Sequence, residues 1–174
     1  MIFRKLFVRV KNQAGFTLIE LLVALAITGI IGVGAAMANA QVLTQTARNN
    51  DYTTAGRQTL NAVHWISRDT QMAQDIQPYG TSGFPLTLNW VDWYNKSYQV
   101  VYSLEDGKLK RSYSVDGGSA TESLIAEYIS LDDQMTCCST DNGVLMLTIT
   151  ACVGQESNTT NVTRVRKITS RPNL

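Results

Sequence analysis

The feature that most constrains this chain is an apolar run over residues 16–40, broken only by Glu20 and a few small polar residues. At about 1.5 Å of rise per residue, a helix of this length extends for roughly 37 Å. That is enough to cross the apolar core of a bilayer, which is about 30 Å thick. The run therefore predicts a membrane-spanning helix.

The charges before this run predict its orientation. Four basic residues precede it, and no acidic residue does: Arg4, Lys5, Arg9 and Lys11. Positive charges that flank a span stay on the cytoplasmic side. We therefore expect a cytoplasmic amino terminus and export of everything after Gln41. A chain of 174 residues then has room for one exported domain.

Glu20 is the anomaly within the apolar run. An acidic side chain in a membrane span costs a few kcal/mol and is usually kept for a partner or a role. Glu20 lies only four residues into the run, so its carboxylate could also extend back to the cytoplasmic interface without any special function. The residue alone leaves both interpretations open.

The local string favours the functional interpretation. Gly15-Phe-Thr-Leu-Ile-Glu20, after a short basic leader, resembles the processing signal of type IV prepilins and type II secretion pseudopilins. In those families a membrane peptidase cuts after the glycine and methylates the new amino terminus, and a glutamate is the fifth mature residue. The resemblance implies cleavage between Gly15 and Phe16 and N-methylation of Phe16. It also implies that Glu20 pairs with the amino terminus of a neighbouring subunit during filament assembly.

The same resemblance implies partners and a location. The partners are a prepilin peptidase, other pilins or pseudopilins, and an inner-membrane assembly platform. The chain would be a single-pass protein of the inner (cytoplasmic) membrane with an exported domain, and would later join a filament. Many major pilins have a proline soon after the span, whereas this chain has none before Pro78. This favours a minor subunit, similar to large minor pilins or the J-type minor pseudopilin.

Two alternatives stay open. The first is a filament-displayed binding module, for adhesion or DNA uptake; the sequence does not distinguish a pilus, a secretion pseudopilus and a DNA-uptake filament. The second is an ordinary secreted protein, because Ala38-Asn39-Ala40 matches the A-x-A cleavage pattern before Gln41. The apolar region of a signal peptide is usually about 7–15 residues long. The apolar run here is longer and contains Glu20, and both features count against this second alternative.

Beyond the span, apolar residues recur at threes and fours up to Ile76, as in an amphipathic helix, and Pro78 ends the pattern. The predicted organisation is a leader at 1–15, a span at 16–40, an amphipathic helix at 41–77 and a β-sheet region at 78–174. Runs rich in β-branched and aromatic residues predict the strands: 86–94, 98–104, 109–115, 123–131, 143–153 and 161–169. Asp106-Gly107 predicts a tight hairpin. A helix followed by antiparallel strands is an α+β fold, with the helix covering one sheet face.

Nothing in the chain predicts catalysis. His64 is the single histidine, and no common catalytic or phosphate-binding motif occurs. We therefore expect no enzyme activity, cofactor or metal ion. No nucleic-acid partner is expected either, because basic residues beyond the leader cluster only near the carboxyl terminus. Trp90, Trp93 and Tyr94 lack interleaved Lys or Arg, so we interpret them as core or sheet-packing residues and not as a base-stacking platform.

The cysteines allow one disulfide. Export permits disulfides, and Cys137-Cys138 come shortly before a strand that contains Cys152. A hairpin would bring one of the pair near Cys152, and we predict a Cys138–Cys152 bond. Three reduced thiols are the alternative.

Overall fold

The structure is a computed structural model that describes residues 15–80, 82–154 and 159–171. Most of the leader, residues 1–14, lies outside the described residues. One helix is followed by eight strands: α1 Leu18–Met72, β1 Asp75–Tyr79, β2 Gly83–Val91, β3 Ser97–Glu105, β4 Lys108–Val115, β5 Thr121–Ala126, β6 Cys137–Asp141, β7 Val144–Val153 and β8 Thr160–Thr169.

Helix α1 is continuous over 55 residues. The chain divides into two compact units within it, and the division falls between Gln45 and Thr46. In the first unit every residue from Gly15 to Gln45 is exposed. In the second unit the helix has a buried stripe at intervals of three and four residues, as an amphipathic helix requires: Ala55, Thr59, Ala62, Val63, Ile66, Ser67, Asp69 and Thr70.

The first sheet has five antiparallel strands in the order β1-β2-β3-β4-β5. The predicted hairpin between β3 and β4 is confirmed. Glu105 pairs with Lys108, and the two residues between them, Asp106 and Gly107, have φ of 49° and 72°. Positive φ at both positions is what a two-residue turn of this hand needs, and Asp-Gly adopts it at low cost.

The second sheet has three antiparallel strands in the order β6-β7-β8. Its first hairpin is closed by Asn142-Gly143, again with positive φ at both residues, so that Asp141 pairs with Val144. Every second residue of β7 from Leu145 to Val153 is buried, as in a strand with one face on the core, and Thr150 is buried as well.

One apolar core joins the helix stripe to both sheets. The sheet residues of this core that are completely buried are Leu86, Leu88, Val100, Tyr102, Leu109, Leu145, Leu147, Ile149 and Ala151. The α+β prediction, with a long amino-terminal helix packed on antiparallel strands, is confirmed, although two sheets replace the single sheet.

The predicted end of the helix was wrong. The amphipathic helix was expected over 41–77, but α1 ends at Met72 and Ile76 lies in β1. The backbone N–H of Ala73 still donates to the Asp69 carbonyl, whereas the N–H of Gln74 donates to the Asn89 carbonyl at 2.9 Å. Hydrogen bonding to β2 therefore replaces the helical pattern from Gln74 onward, before Pro78 is reached.

The strand predictions missed two strands, β1 and β6, and extended others too far. The run at 86–94 was expected to be strand throughout, but β2 ends at Val91. The run at 123–131 leaves the sheet after Ala126. Ile129 makes only an isolated bridge, to Ala151 of the second sheet. Long runs rich in β-branched and aromatic residues thus contain both strand and turn.

Candidate functional site

The amino end of α1 carries the residues that the sequence singled out. Gly15 and Phe16 precede the helix in an exposed segment without regular secondary structure, and Phe16 is 88% exposed. A peptide bond outside regular structure and free of packing is accessible to a peptidase. The structure leaves the cleavage itself a prediction.

Glu20 lies in the first turn of α1, where it forms a capping box with Thr17. Its Oε2 accepts hydrogen bonds from the Thr17 N–H at 3.0 Å and the Thr17 hydroxyl at 2.9 Å, and its own N–H donates to Thr17 Oγ1 at 3.3 Å. This reciprocal pattern satisfies N–H groups that the start of a helix leaves unpaired. Sequence reasoning missed Thr17, although Thr-x-x-Glu before an apolar run is a recognised signal for it.

The rest of the first unit is an exposed, largely apolar helix surface. Within the described residues, α1 is the one helix long and apolar enough to cross a membrane, and none of its most apolar segment is buried. Large side chains project from all around this segment: Leu18, Ile19, Leu22, Leu25, Ile27, Ile30, Ile31, Val33 and Met37. A helix that is apolar on every side requires lipid or other apolar helices around it.

The second half of the same helix is attached to the first sheet through a buried charge. Asp69 is 2% exposed. Its Oδ2 accepts from Arg111 Nε at 2.7 Å and from the Tyr102 hydroxyl at 2.5 Å, while Arg111 Nη2 donates to Oδ1 at 3.3 Å. The Arg111 guanidinium also lies over the rings of Trp65 and Tyr113, at 5.4 and 5.0 Å from their centroids.

The environment of this cluster keeps its charges in place. Burial alone would lower the pKa of Arg111, but the hydrogen bonds and charge of Asp69 outweigh it and raise the pKa above the usual value. Burial, followed by the Asp69 charge, raises the pKa of Tyr102 as well, so the phenol stays a hydrogen-bond donor. The cluster is therefore a fixed link between helix and sheet. Sequence reasoning did not identify this cluster, because Tyr102 and Arg111 are 33 and 42 residues from Asp69 in the sequence.

The predicted Cys138–Cys152 disulfide was wrong, and all three cysteines are free. Cys138 pairs with Leu147, five residues before Cys152, which is roughly 17 Å along a strand. A disulfide needs a Cα separation of about 4.4–6.8 Å. The odd offset also places Cys152 on the other face of β7. The Cys138 thiol instead donates to the Gly83 carbonyl at 3.1 Å, and burial raises its pKa to about 12.

The aromatic residues of the β2–β3 region divide into two groups. Trp90 is 7% exposed and stacks on Tyr98 with ring centroids 5.5 Å apart, so the packing interpretation is confirmed for it. It was wrong for Trp93 and Tyr94, which are 95% and 82% exposed. The physical reason is that β2 ends at Val91, so the two residues follow in a turn and have no sheet to pack against.

No group of three or more His, Cys, Asp or Glu side chains in the described part of the chain could hold a metal ion. Asp132, in the acidic loop before β6, uses its Oδ1 to accept from the Gln134 N–H at 2.9 Å, as turn residues commonly do.

Comparison with known proteins bears on the amino-terminal segment. A family profile described as the prokaryotic N-terminal methylation motif matches residues 10–36. The matched range contains the Gly15-Phe16 junction, Glu20 and most of the apolar run. This motif indicates a prepilin of the type IV pilin kind, processed by a prepilin peptidase and consistent with a membrane-anchored pilin. No curated protein and no solved structure matches the chain.

Proposed function

We propose that this chain, whose methylation motif is that of type IV pilin-like prepilins, is a non-enzymatic minor subunit of a type IV pilus or type II secretion pseudopilus. Cleavage follows Gly15, and Phe16 becomes the methylated first residue. Before assembly the subunit is anchored in the inner membrane with its second unit exported. It then assembles into the filament through packing of α1. Its partners are the prepilin peptidase, sibling pilins or pseudopilins and the assembly platform.

The observation that carries this proposal is the exposed apolar half of α1. All its side chains from Leu18 to Gln45 are solvent-accessible in the single chain. Exposing this much apolar surface to water is strongly unfavourable, at about 25 cal/mol per Å². Lipid covers it in the membrane, and apolar helices of other subunits cover it in a filament.

Glu20 supplies the polar element of this assembly. In the single chain its carboxylate is held by Thr17 and remains exposed. Inside a bundle of apolar helices the low dielectric strengthens an ion pair, and the positive amino terminus of a neighbouring Phe16 is the cation that cleavage creates. An unpaired carboxylate there would be costly, so the pair selects one register between subunits.

The first test is mass spectrometry of the amino terminus of the chain isolated from its host membrane. We expect a start at Phe16 with one added methyl group. Gly15→Val blocks cleavage and leaves the full-length precursor in the membrane, because the β-branched side chain obstructs the peptide bond. Gly29→Val serves as the matched control and is processed normally, because Gly29 also has open space around it but lies within the apolar run, away from the cleaved bond. A mature start at Gln41 would instead establish the secreted-protein alternative.

The second test is Glu20→Val. The variant makes the span more apolar, so insertion and processing persist, but the counter-ion is lost and incorporation into sheared filaments falls strongly. Glu20→Lys is worse because it places two cations together. Thr28→Val is the control: it removes a polar side chain whose hydroxyl bonds only within the helix, to the Ala24 carbonyl, and incorporation is unchanged. Normal incorporation of Glu20→Val would disprove the pairing.

A further inference from the structure

The β2–β3 turn, residues 92–96, is a feature of the exported unit that filament assembly does not require. It presents Trp93 and Tyr94 side by side in the sequence and almost fully exposed. Large exposed aromatic side chains on an otherwise polar surface are typical of binding sites, since their rings are favourable to bury. The turn is therefore a candidate binding site.

The turn is held in one conformation by Asp92. Its Oδ1 accepts from the N–H groups of Tyr94 and Lys96 at 2.8 and 3.0 Å, and its Oδ2 accepts from the Tyr98 hydroxyl at 3.0 Å. Asn95 closes the turn with φ of 61°. The hydrogen bond from the Lys96 N–H is the largest cause that lowers the pKa of Asp92, so the carboxylate stays ionised at neutral pH. A preorganised turn gives up little entropy when a ligand binds.

Two adjoining clefts lie beside this turn, with volumes of about 460 and 540 Å³. Both are within the range of about 300–1,000 Å³ typical of small-ligand sites. They share Gln74, Trp90 and Val91. The first cleft extends to Asn89 and Gln99, and the second to Trp93.

Two side chains of the wall that the clefts share, Trp90 and Gln74, are held in place by contacts with their neighbours. Trp90 is fixed by its stack on Tyr98, with an interplanar angle of 10°. Gln74 is fixed at its backbone N–H, which donates to the Asn89 carbonyl, and at Oε1, which accepts from the Val91 N–H at 3.0 Å. The Nε2 of Gln74 has no hydrogen-bond partner among the described residues, so a donor at the junction of the clefts is left for a ligand.

We propose that the turn and its two clefts form a binding site for a neutral oligosaccharide. A sugar ring has an apolar C–H face, which stacks on an exposed indole such as Trp93, and an edge of hydroxyl groups, which accept hydrogen bonds from a carboxamide such as Gln74 Nε2. This site is independent of assembly: it would bind sugar whether or not the chain enters a filament.

The surroundings disfavour other ligand classes. A nucleic acid needs several cations for its phosphates, and Lys96 in the turn and Arg171 in the second cleft are the basic residues that this site offers. A protein partner needs about 800 Å² on each side with an apolar centre. Here the exposed apolar side chains are few, Trp93 and Tyr94 with the partly exposed Met72 and Val91, and they lie among amides and carboxylates.

The test uses the full chain in lipid nanodiscs, without sugar-based detergents, titrated with maltotriose, cellotriose and triacetylchitotriose by calorimetry. We expect saturable binding of at least one trisaccharide, with a shift of the Trp93 indole NMR signal. Trp93→Ala weakens binding by about tenfold or more, which is about 1.4 kcal/mol. Trp93→Tyr, which keeps an aromatic face, retains part of the affinity. Gln74→Ala weakens binding without removing it.

Tyr79→Ala is the matched control. Tyr79 is also strongly exposed, but it lies at the other end of the β1–β2 hairpin, and its removal leaves sugar binding unchanged. Three outcomes overturn the proposal: no binding of any of the three sugars at millimolar concentration, sugar binding that Trp93→Ala does not weaken, or Trp93-dependent binding of oligothymidine in place of sugars. A native circular dichroism spectrum of each variant excludes misfolding as the cause of any loss.

Discussion

The two halves of α1 make opposite use of the same secondary structure. Up to Gln45 the helix is apolar on every side and wholly exposed, whereas from Ala55 onward one stripe of the helix is buried against the core. Each half carries one distinctive acid: Glu20 is exposed and bound only to its own first turn, and Asp69 is buried against Arg111. The first half is therefore suited to pack against lipid or other chains, whereas the second half packs against the sheets of its own chain.

Asp69→Asn tests the buried acid and should have the largest effect on stability. Removing one partner of a buried ion pair leaves the other charge uncompensated, at a cost of about 3–5 kcal/mol. We expect the midpoint of chemical denaturation, followed by tryptophan fluorescence in nanodiscs, to fall accordingly. The double variant Asp69→Leu with Arg111→Met replaces both charges by apolar groups and should recover much of the loss. A decrease below about 1 kcal/mol, as for exposed pairs, would show that the pair does not stabilise the fold.

Two isoleucines of the same helix compare the halves directly. Ile66 is fully buried and Ile30 is 75% exposed. Ile66→Ala should lower the free energy of unfolding by about 2–5 kcal/mol, through lost burial and the cavity that remains. Ile30→Ala should leave that free energy unchanged, while it reduces packing against other subunits and so the yield of filaments. Equal effects of the two substitutions on unfolding would contradict the division of the helix.

Glycine-to-alanine substitutions in the two halves of α1 should give the smallest difference in stability. A Cβ added at Gly32 or at Gly56 meets no atom within 4 Å. Gly56→Ala should raise stability by about 0.5–1 kcal/mol, because alanine loses less backbone entropy in a helix. Gly32→Ala should not move the unfolding midpoint, since its half of the helix has no part in the folded core. A matching gain at Gly32 would mean that the two halves unfold as one unit.

Where the sequence predictions succeeded, the signal was local. Asp106-Gly107 specified its hairpin because those two residues adopt positive φ at low cost. Asn142-Gly143 carries the same signal, so the missed strand β6 could have been found from it. The Thr17–Glu20 cap was also readable from spacing alone. The ends of strands could not be predicted in this way. Whether residues 92–94 continue a strand depends on pairing with distant residues, and Trp93 is exposed because that pairing ends before it.

The sequence by itself determined the apolar span, the methylation-motif string that includes Gly15, Phe16 and Glu20, and the order of helix before strands. Each depends on residue type and spacing within a few turns of backbone. Only the tertiary structure decided that α1 ends at Met72, that Cys138 and Cys152 lie far apart, and that Asp69 meets Arg111. These outcomes depend on strand register and on contacts between residues distant in sequence, and a shift of one residue in register moves every side chain to the other face of its sheet.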